Sequence, residues 1–432
     1  MATLNSPHTQ VDPSALADIR GTMNTWLRQQ VQTASASTST PAVKQESTMT
    51  LEDSAILAVE SALSNHGSLA ELEAHLGELF QQCLKEYRRC FIPAPLRKRQ
   101  YVGQAGLIMS PDQCLTTLLD LRRVRAFWRA CDHAIRDQIA DRNATPSLRI
   151  VYPACGPLAP LLLPLLSYYH RNQQQDMQAL RVTLIDVQPG AVTSLQHLVE
   201  KLGLGACVDE IHCGDALDYR PQQPVDILLM EAMQHGFSRE GHFAMVRHFA
   251  GYMAVTGVML PERISLQAVI TEGQAEFVEQ WQTPTAASDS TPLLAKRDIR
   301  IPLGEILSVT RETLAQVSAQ KIDDATSLIP CGEVDVPPLS KEIKHPLLLI
   351  CSQMQIYRDE ALAEYDSGIT HPLPDFQVCI NFVPRDAREG DLLVRSGDRL
   401  KFYYCQNGLP GFLATVVNPQ GSTASCAESV NG

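Results

Sequence analysis

The chain has 432 residues, of which 44% are hydrophobic and 19% charged, a composition typical of a globular protein of two or three domains. Its net charge of −12 disfavours nucleic acid or an anionic membrane as the main partner. Twelve scattered cysteines without a C-x-x-C pair, no apolar run of transmembrane length and no signal-peptide pattern favour a cytoplasmic protein with reduced thiols over a disulfide framework or a zinc site.

The amino-terminal part of the chain is predicted to be helical. Residues 1–50 are expected to be a flexible segment, in which residues 14–32 carry apolar side chains at helical spacing and residues 34–50 form a Ser- and Thr-rich linker. Helical spacing returns in residues 51–91, within a helical region that we place at 51–113. This region is interpreted as a cap or a partner-binding hairpin without chemistry of its own.

A further helix is predicted over residues 114–139, where apolar residues again recur at helical spacing. Asp120 and Arg123 lie one turn apart on it, so their side chains are within reach of each other and of a common ligand. An ordinary surface ion pair is the alternative.

A strand, a turn and a helix follow, an arrangement that can hold a nucleotide-like ligand at the amino terminus of a helix. The strand is predicted over residues 148–152, the turn over 153–157 and the helix over 158–169. The turn contains one glycine where the dinucleotide-binding fingerprint has three, so it is a poor match to that motif.

Acidic residues end or follow the next predicted strands. Asp186 follows a strand over residues 180–185 and is well placed to bind two ribose hydroxyls, and Asp215 and Glu231 follow the third and fourth strands. The alternation of strands and helices predicts a doubly wound parallel sheet in a domain spanning residues 114–261. Acids instead of phosphate-binding glycines and lysines indicate a nucleoside without a pyrophosphate, and S-adenosylmethionine fits this description.

The stretch after the fourth strand holds two carboxylates, Glu231 and Glu240, nine residues apart on one loop. Two carboxylates on one loop can bind a cation, and a planar guanidinium is the best geometric match because it pairs bidentately with carboxylates. The alternative is that both are solvated loop acids.

The rest of the chain is predicted to be β-rich, a barrel or sandwich over residues 262–418. Residues 283–338 are polar and contain proline, and we interpret them as an insertion with one helix over residues 303–320. The tail, residues 419–432, is expected to be disordered.

At this point the sequence resembles the protein arginine methyltransferases, from about residue 114 to residue 404. Five ordered matches carry the resemblance: the D-x-x-R of Asp120 and Arg123, the double-Glu loop of Glu231 and Glu240, Leu260-Pro261-Glu262-Arg263, Thr370-His371, and the LLVRSGD of residues 392–398.

The resemblance implies a methyltransferase that passes the methyl group of S-adenosylmethionine directly to a nitrogen of a guanidine or amine acceptor, on a protein or a small molecule. In this interpretation Arg123 holds the methionine carboxylate, Asp186 the ribose and Asp215 the adenine amino group. The expected cofactor-binding residues are Arg123, Tyr152, Ala154, Cys155, Gly156, Asp186 and Asp215. The expected catalytic residues are Glu231, Glu240 and His371, the last paired with Asp120. A homodimer is also implied.

The sequence departs from the family pattern at the turn and in the acceptor pocket. Ala154, Gly156 and Leu158 stand where the family has a Gly-x-Gly-x-Gly core, and Ala232 and Pro372 replace two aromatic residues. A diverged relative that acts on a small amine or guanidine is therefore at least as good an expectation as a histone-type enzyme.

Three rival functions remain open from the sequence. The first is an enzyme of the same fold that uses S-adenosylmethionine as its own substrate and releases methylthioadenosine. The second is a non-catalytic pseudo-methyltransferase. The third is a metal enzyme built on His235, His242 and His248, whose spacing does not match a helical ligand pair; we expect no metal.

Overall fold

The structure is a computed structural model that describes residues 49–140, 147–172, 177–273, 299–323, 326–381 and 388–417. The chain from Thr50 onward forms one compact unit. The predicted helix over residues 14–32 and the predicted disordered tail lie outside the described residues. Within the described ranges, no helix is both long enough and apolar enough to cross a membrane.

Two capped helices, α1 (Leu51–Leu63) and α2 (Leu69–Arg89), begin the described part. Thr50 and Ser68 cap them, each accepting a hydrogen bond from a backbone N–H of the first turn at 3.1 Å. The helices that follow are α3 (Ala94–Arg97), α4 (Pro111–Cys114) and α5 (Leu121–Ala140), with a 3-10 turn at Leu115–Leu119 between the last two. A short antiparallel hairpin of β1 (Tyr101–Val102) and β2 (Leu107–Ile108) separates α3 from α4.

The predicted doubly wound sheet is confirmed. Five parallel strands pair in the order β5-β4-β3-β6-β7. The three inner strands are mostly apolar and buried, whereas the edge strand β5 exposes Asp209 and Glu210. The strands are β3 (Leu148–Pro153), β4 (Leu180–Asp186), β5 (Val208–Cys213), β6 (Val225–Leu229) and β7 (Met253–Leu260). The intervening helices are α6 (Leu163–Asn172), α7 (Pro189–Lys201) and α8 (His242–Ala250). The strand order reverses between β3 and β6, so ligands are expected at the carboxyl ends of these strands.

The β-rich character of the remaining described residues is also confirmed. One antiparallel sheet contains β8 (Arg263–Glu272), β9 (Ile301–Val309), β12 (Pro346–Tyr357), β13 (Glu360–Leu362) and β14 (Leu373–Asp375). A second contains β10 (Gln320–Lys321), β11 (Ser327–Asp335), β17 (Arg399–Cys405) and β18 (Gly411–Val417). The strands β15 (Val378–Ile380) and β16 (Leu392–Val394) form a parallel pair.

The helix predicted over residues 303–320 is wrong in its first half. That stretch belongs to β9, which pairs along its length with β8, and the helix α9 (Arg311–Gln316) begins only after Thr310. Thr310 and Thr313 cap it reciprocally, so the capping signal marks the true start. The described part of the expected insertion thus supplies β9 and β11 to the two antiparallel sheets, while the domain boundaries stay a prediction.

Candidate functional site

The turn after β3 binds the acidic end of β4. Ala154 and Gly156 have positive φ angles of 50° and 67°, so the chain turns sharply as it leaves the sheet. The Gly156 N–H donates to Oδ2 of Asp186 at 2.9 Å, and the Gln188 N–H donates to Oδ1 at 2.8 Å. Burial nevertheless raises the pKa of Asp186 to about 6. The structure thus joins two of the predicted cofactor-binding residues, Gly156 and Asp186, by a hydrogen bond.

The helix expected to follow this turn begins later than predicted. Ala159 has a φ of +39° and the described helix α6 starts at Leu163, because the prolines and the positive φ interrupt helical geometry. The Pro160 carbonyl instead accepts a hydrogen bond from Nε1 of Trp128 at 2.9 Å. The turn therefore does not lead directly into a helix, and the predicted start of the helix at residue 158 is wrong, while the ligand site at the turn itself stays a prediction.

A cavity of about 110 Å³ lies beside the turn, at the carboxyl ends of β3, β4 and β5. The predicted site residues in its wall are Ala154, Gly156, Asp186, Asp215 and Glu240. The carboxylate of Asp215 accepts a hydrogen bond from the N–H of Leu217 at 2.9 Å, which fixes its orientation. One cavity wall thus contains acids from both the predicted nucleoside side and the predicted acceptor side.

The hairpin β1–β2 and the residues around it cover this cavity, which the sequence interpretation did not foresee. The Leu107 N–H donates to the Arg239 carbonyl at 2.7 Å. Gly106 has a φ of +152°, and a Cβ atom there would lie 2.8 Å from the backbone carbon of Glu240, so a larger residue would push the hairpin off the loop. The cover is therefore fastened to the loop that carries the two glutamates.

Arg123 lies between two carboxylates and is not among the residues of the cavity wall. Its Nη1 donates to Oε2 of Glu231 at 2.9 Å, and its Nη2 lies 3.0 Å from Oδ2 of Asp120. The Nε of Arg123 is buried and has no hydrogen-bond partner among the described residues. Burial raises the pKa of Glu231, although the Arg123 charge opposes the shift.

Glu240 differs from Glu231 because it lines the cavity. Burial and the nearby charge of Glu231 raise the pKa of Glu240 to about 7, while a hydrogen bond from the Gln234 side chain opposes the shift. The loop between the two glutamates is anchored by Phe237, whose ring packs against Tyr404 with centroids 5.4 Å apart. Because its pKa is about 7, Glu240 can take up or release a proton at neutral pH.

The pair of His371 and Asp120 stays a prediction, and the Asp120 carboxylate is bound by the segment just before His371. Oδ2 of Asp120 accepts hydrogen bonds from the Ser367 hydroxyl at 2.7 Å and the Gly368 N–H at 3.2 Å. Burial lowers the pKa of His371, and the charge of Asp120 partly offsets this. His371 also helps to lower the pKa of His235 on the double-Glu loop, so this loop lies near it.

Two predicted cofactor-binding residues have side chains that point into the core. Tyr152 and Cys155 are each 2% exposed and are not among the residues of the cavity wall. The Cys155 thiol donates to the Ile185 carbonyl at 3.5 Å. Only their backbone is therefore in a position to contribute to a ligand site.

Two residues that the sequence interpretation passed over also belong to the wall, Gln188 and Cys114. Burial and the charge of Asp186 raise the pKa of the Cys114 thiol well above its usual value, which keeps the thiol neutral. The position of Gln188, two residues after an acidic strand end, was a usable signal. Cys114 offered none, because nothing in its sequence context distinguishes it from a core cysteine.

Two of the three histidines of the rival metal site, His242 and His248, form hydrogen bonds with backbone groups. Nδ1 of the buried His242 accepts from the Ala232 N–H at 3.5 Å, and burial lowers the pKa of His242 to about 3. Nε2 of His248 donates to the Tyr219 carbonyl at 2.8 Å. Across the described ranges, no group of three or more His, Cys, Asp or Glu side chains is arranged to hold a metal ion.

Comparison with known proteins finds no matching family model and no matching curated protein. Solved structures do match. The PRMT1 enzyme–prozyme heterotetrameric complex of Trypanosoma brucei with AdoHcy is 14% identical, with a TM-score of 0.40 over 71% of this chain and 98% of that one. Protein arginine methyltransferase 10 of Arabidopsis thaliana, in an open conformation, is 12% identical, with a TM-score of 0.38 over 68% of this chain and 94% of that one.

Proposed function

We propose that this chain is an S-adenosylmethionine-dependent methyltransferase that methylates a nitrogen of a cationic guanidine or amine. The observation that carries the proposal is the single cavity wall in which Asp186 and the turn after β3 stand together with Glu240. A nucleoside-binding acid and an acid with a pKa of about 7 then face the same small space, as transfer between two bound reactants requires.

The residues present fit the cofactor in their chemistry. Asp186 offers a carboxylate to the ribose hydroxyls, Asp215 an acceptor for the adenine amino group, and the backbone of residues 154–156 a close approach to the amino acid portion. The buried Nε of Arg123, which has no partner among the described residues, would donate to the methionine carboxylate. The cofactor supplies an electrophilic methyl group on its sulfonium.

The cavity volume bears on how the cofactor enters. A cavity of about 110 Å³ is below the range of about 300–1,000 Å³ usual for small-molecule sites. The hairpin β1–β2 covers it through a few backbone hydrogen bonds, so we expect the hairpin to move outward while the cofactor enters and to close over the bound cofactor.

The acceptor side is organised around Glu240. A carboxyl group with a pKa of about 7 can orient a cationic acceptor and take up a proton from it at neutral pH. Glu231, which is paired with Arg123, is the second carboxylate that contacts the acceptor, and we call the two glutamates the clamp. His371 with Asp120 is the alternative acceptor of the proton. Replacement of pocket aromatics by Ala232 and Pro372 favours a small or flexible acceptor, and a homodimer stays a prediction.

The deciding experiment is incubation with methyl-labelled S-adenosylmethionine and a panel of guanidines, amines and arginine-containing peptides, followed by mass spectrometry. S-adenosylhomocysteine together with a labelled acceptor supports the proposal. Methylthioadenosine without a labelled acceptor indicates that S-adenosylmethionine is the substrate itself. Binding without any product indicates a non-catalytic protein. The Glu240→Gln variant is the matched control for background methylation.

A further inference from the structure

Gln188 occupies an unusual position between the cavity and its cover. The side chain is 2% exposed, and its amide nitrogen donates to the Arg99 carbonyl at 2.8 Å and to the Met109 carbonyl at 3.0 Å. Both amide hydrogens are used, and these partners fix the orientation of the group, because the reversed amide would set its oxygen against two carbonyl oxygens.

The side-chain oxygen, Oε1 of Gln188, is buried and has no hydrogen-bond partner within the described part of the chain. Buried acceptors without partners are rare in folded proteins because their loss of hydration is not compensated. Gln188 also lines the cavity. A buried acceptor without a partner among the described residues, on a side chain that belongs to the cavity wall, indicates that a ligand supplies the donor.

We propose that Gln188 is a ligand-binding residue that accepts a hydrogen bond from one hydroxyl of a ribose diol while Asp186 accepts one from the other. The inference rests on the proposed nucleoside cofactor and extends it. The two acceptors stand on one short loop after β4, where the Gln188 N–H donates to Oδ1 of Asp186 at 2.8 Å. A vicinal diol presents two adjacent donors, so the pair selects a ribonucleoside over either deoxyribonucleoside.

The same side chain fastens the cover of the cavity. Arg99 and Met109 are the two ends of the segment that contains the hairpin β1–β2, and both are held by the Gln188 amide. The far side of this hairpin is bound to Arg239, next to Glu240. Gln188 therefore contacts the diol and the hairpin β1–β2 at the same time, so binding of the diol stabilises the position of the hairpin.

Calorimetric titration with S-adenosylhomocysteine and its 2′-deoxy and 3′-deoxy analogues tests the proposal. In the wild type, loss of either hydroxyl should weaken binding about tenfold or more. Gln188→Met keeps the length of the side chain but removes the acceptor, so it should bind the parent nucleoside about tenfold more weakly and become indifferent to one of the two hydroxyls. Gln196→Met, at an exposed position of helix α7 that follows Gln188, is the control and should match the wild type.

A second variant separates ligand contact from fastening of the hairpin. Gln188→Glu keeps an acceptor but loses both N–H donors, so it should retain discrimination between the analogues while amide hydrogen exchange of residues 101–109 becomes faster. Each discrimination ratio is taken within one variant, so a general loosening of the hairpin cancels. If Gln188→Met does not fold, Gln188→Asn withdraws the acceptor by one methylene and is measured in the same way.

The outcomes are distinct. Wild-type discrimination of both analogues by Gln188→Met would overturn the role of Gln188 and leave the proposed function standing. Failure of the wild type to bind S-adenosylhomocysteine or S-adenosylmethionine would overturn the proposed function and the inference together. Loss of sensitivity to one hydroxyl, in the Met variant alone, supports the inference.

Discussion

Arg123 and Glu231 form a buried ion pair at the carboxyl end of the parallel sheet, with Nη1 and Oε2 2.9 Å apart and side chains 12% and 8% exposed. The sequence interpretation gave these residues different ligands, a cofactor carboxylate for Arg123 and a cationic acceptor for Glu231. A ligand carboxylate bound at Nε of Arg123 would therefore share this guanidinium with Glu231. We therefore expect cofactor binding to change the charge that Glu231 presents to the acceptor.

Replacement of Arg123 by lysine tests the carboxylate contact. A lysine ammonium cannot reproduce the planar fork that reaches Glu231 and Asp120 and leaves Nε for a ligand. We expect Arg123→Lys to weaken binding of S-adenosylmethionine about tenfold and to leave decarboxylated S-adenosylmethionine nearly unaffected. Calorimetric titration of both ligands measures the difference. Arg122→Lys, which alters a neighbouring, more exposed arginine, is the control, and an equal loss for both ligands in Arg123→Lys would contradict the assignment.

Asp186 should make cofactor binding depend on pH. Its pKa is raised to about 6, and only the ionised form offers acceptors to both ribose hydroxyls and the two backbone N–H groups. Affinity for S-adenosylmethionine should therefore rise with pH up to about 6 and then level off, falling by up to about tenfold per pH unit below that value. Asp186→Asn should bind at least about tenfold more weakly and lose this dependence. Titrations between pH 5 and pH 8 measure both, and a flat wild-type profile would place the nucleoside elsewhere.

Ionisation of Glu240 should lower the free energy of unfolding as the pH rises. Its pKa is about 7 in the folded protein and 4.5 in the reference state, so the folded form binds more protons between these values. The free energy of unfolding contributed by this group is thus highest below pH 4.5 and is lost as pH rises to about 7. The free energy of unfolding of Glu240→Gln, relative to that of the wild type, should increase by on the order of 1–3 kcal/mol between pH 5 and pH 8. Urea unfolding at both pH values measures the gain, and Glu200→Gln, on an exposed helix face, should show none.

The centre of the parallel sheet could be predicted because its inner strands are mostly apolar and end at acids or turns, a pattern that follows from burial. The first half of the predicted helix over residues 303–320 failed for the opposite reason. Its apolar residues fit helical spacing, but pairing of β9 with β8 decides their conformation, and such pairing leaves no local signal.

The acidic residues of the candidate site could be picked out from the sequence, but the hairpin that covers the cavity could not. Asp186, Glu231 and Glu240 are marked by their places at strand ends and in one loop. The partners of the Gln188 side chain, Arg99 and Met109, lie 89 and 79 residues away in the chain. The ion pair of Arg123 and Glu231 joins residues 108 positions apart, so neither contact has a sequence interval that would reveal it.

The double-Glu loop gives the most demanding prediction. If Glu231 and Glu240 hold one cationic acceptor, either carboxylate alone fails to align it, so their effects on turnover should not add. Glu231→Gln and Glu240→Gln should each lower turnover by about 10² to 10⁴, and the double variant should be scarcely worse than the poorer single variant. Initial rates at acceptor concentrations well below saturation measure this.

The two variants should differ in stability, which separates the clamp from a structural role. Glu231→Gln removes the charge that compensates buried Arg123 and should cost about 1–3 kcal/mol of unfolding free energy. Glu240→Gln should cost nothing at pH 8, because burial already disfavours its ionised form. Equal losses of activity with opposite effects on stability cannot arise from unfolding alone. Full activity of either variant would instead mean that the two glutamates are solvated loop acids, and the case for a guanidine or amine acceptor would fall with them.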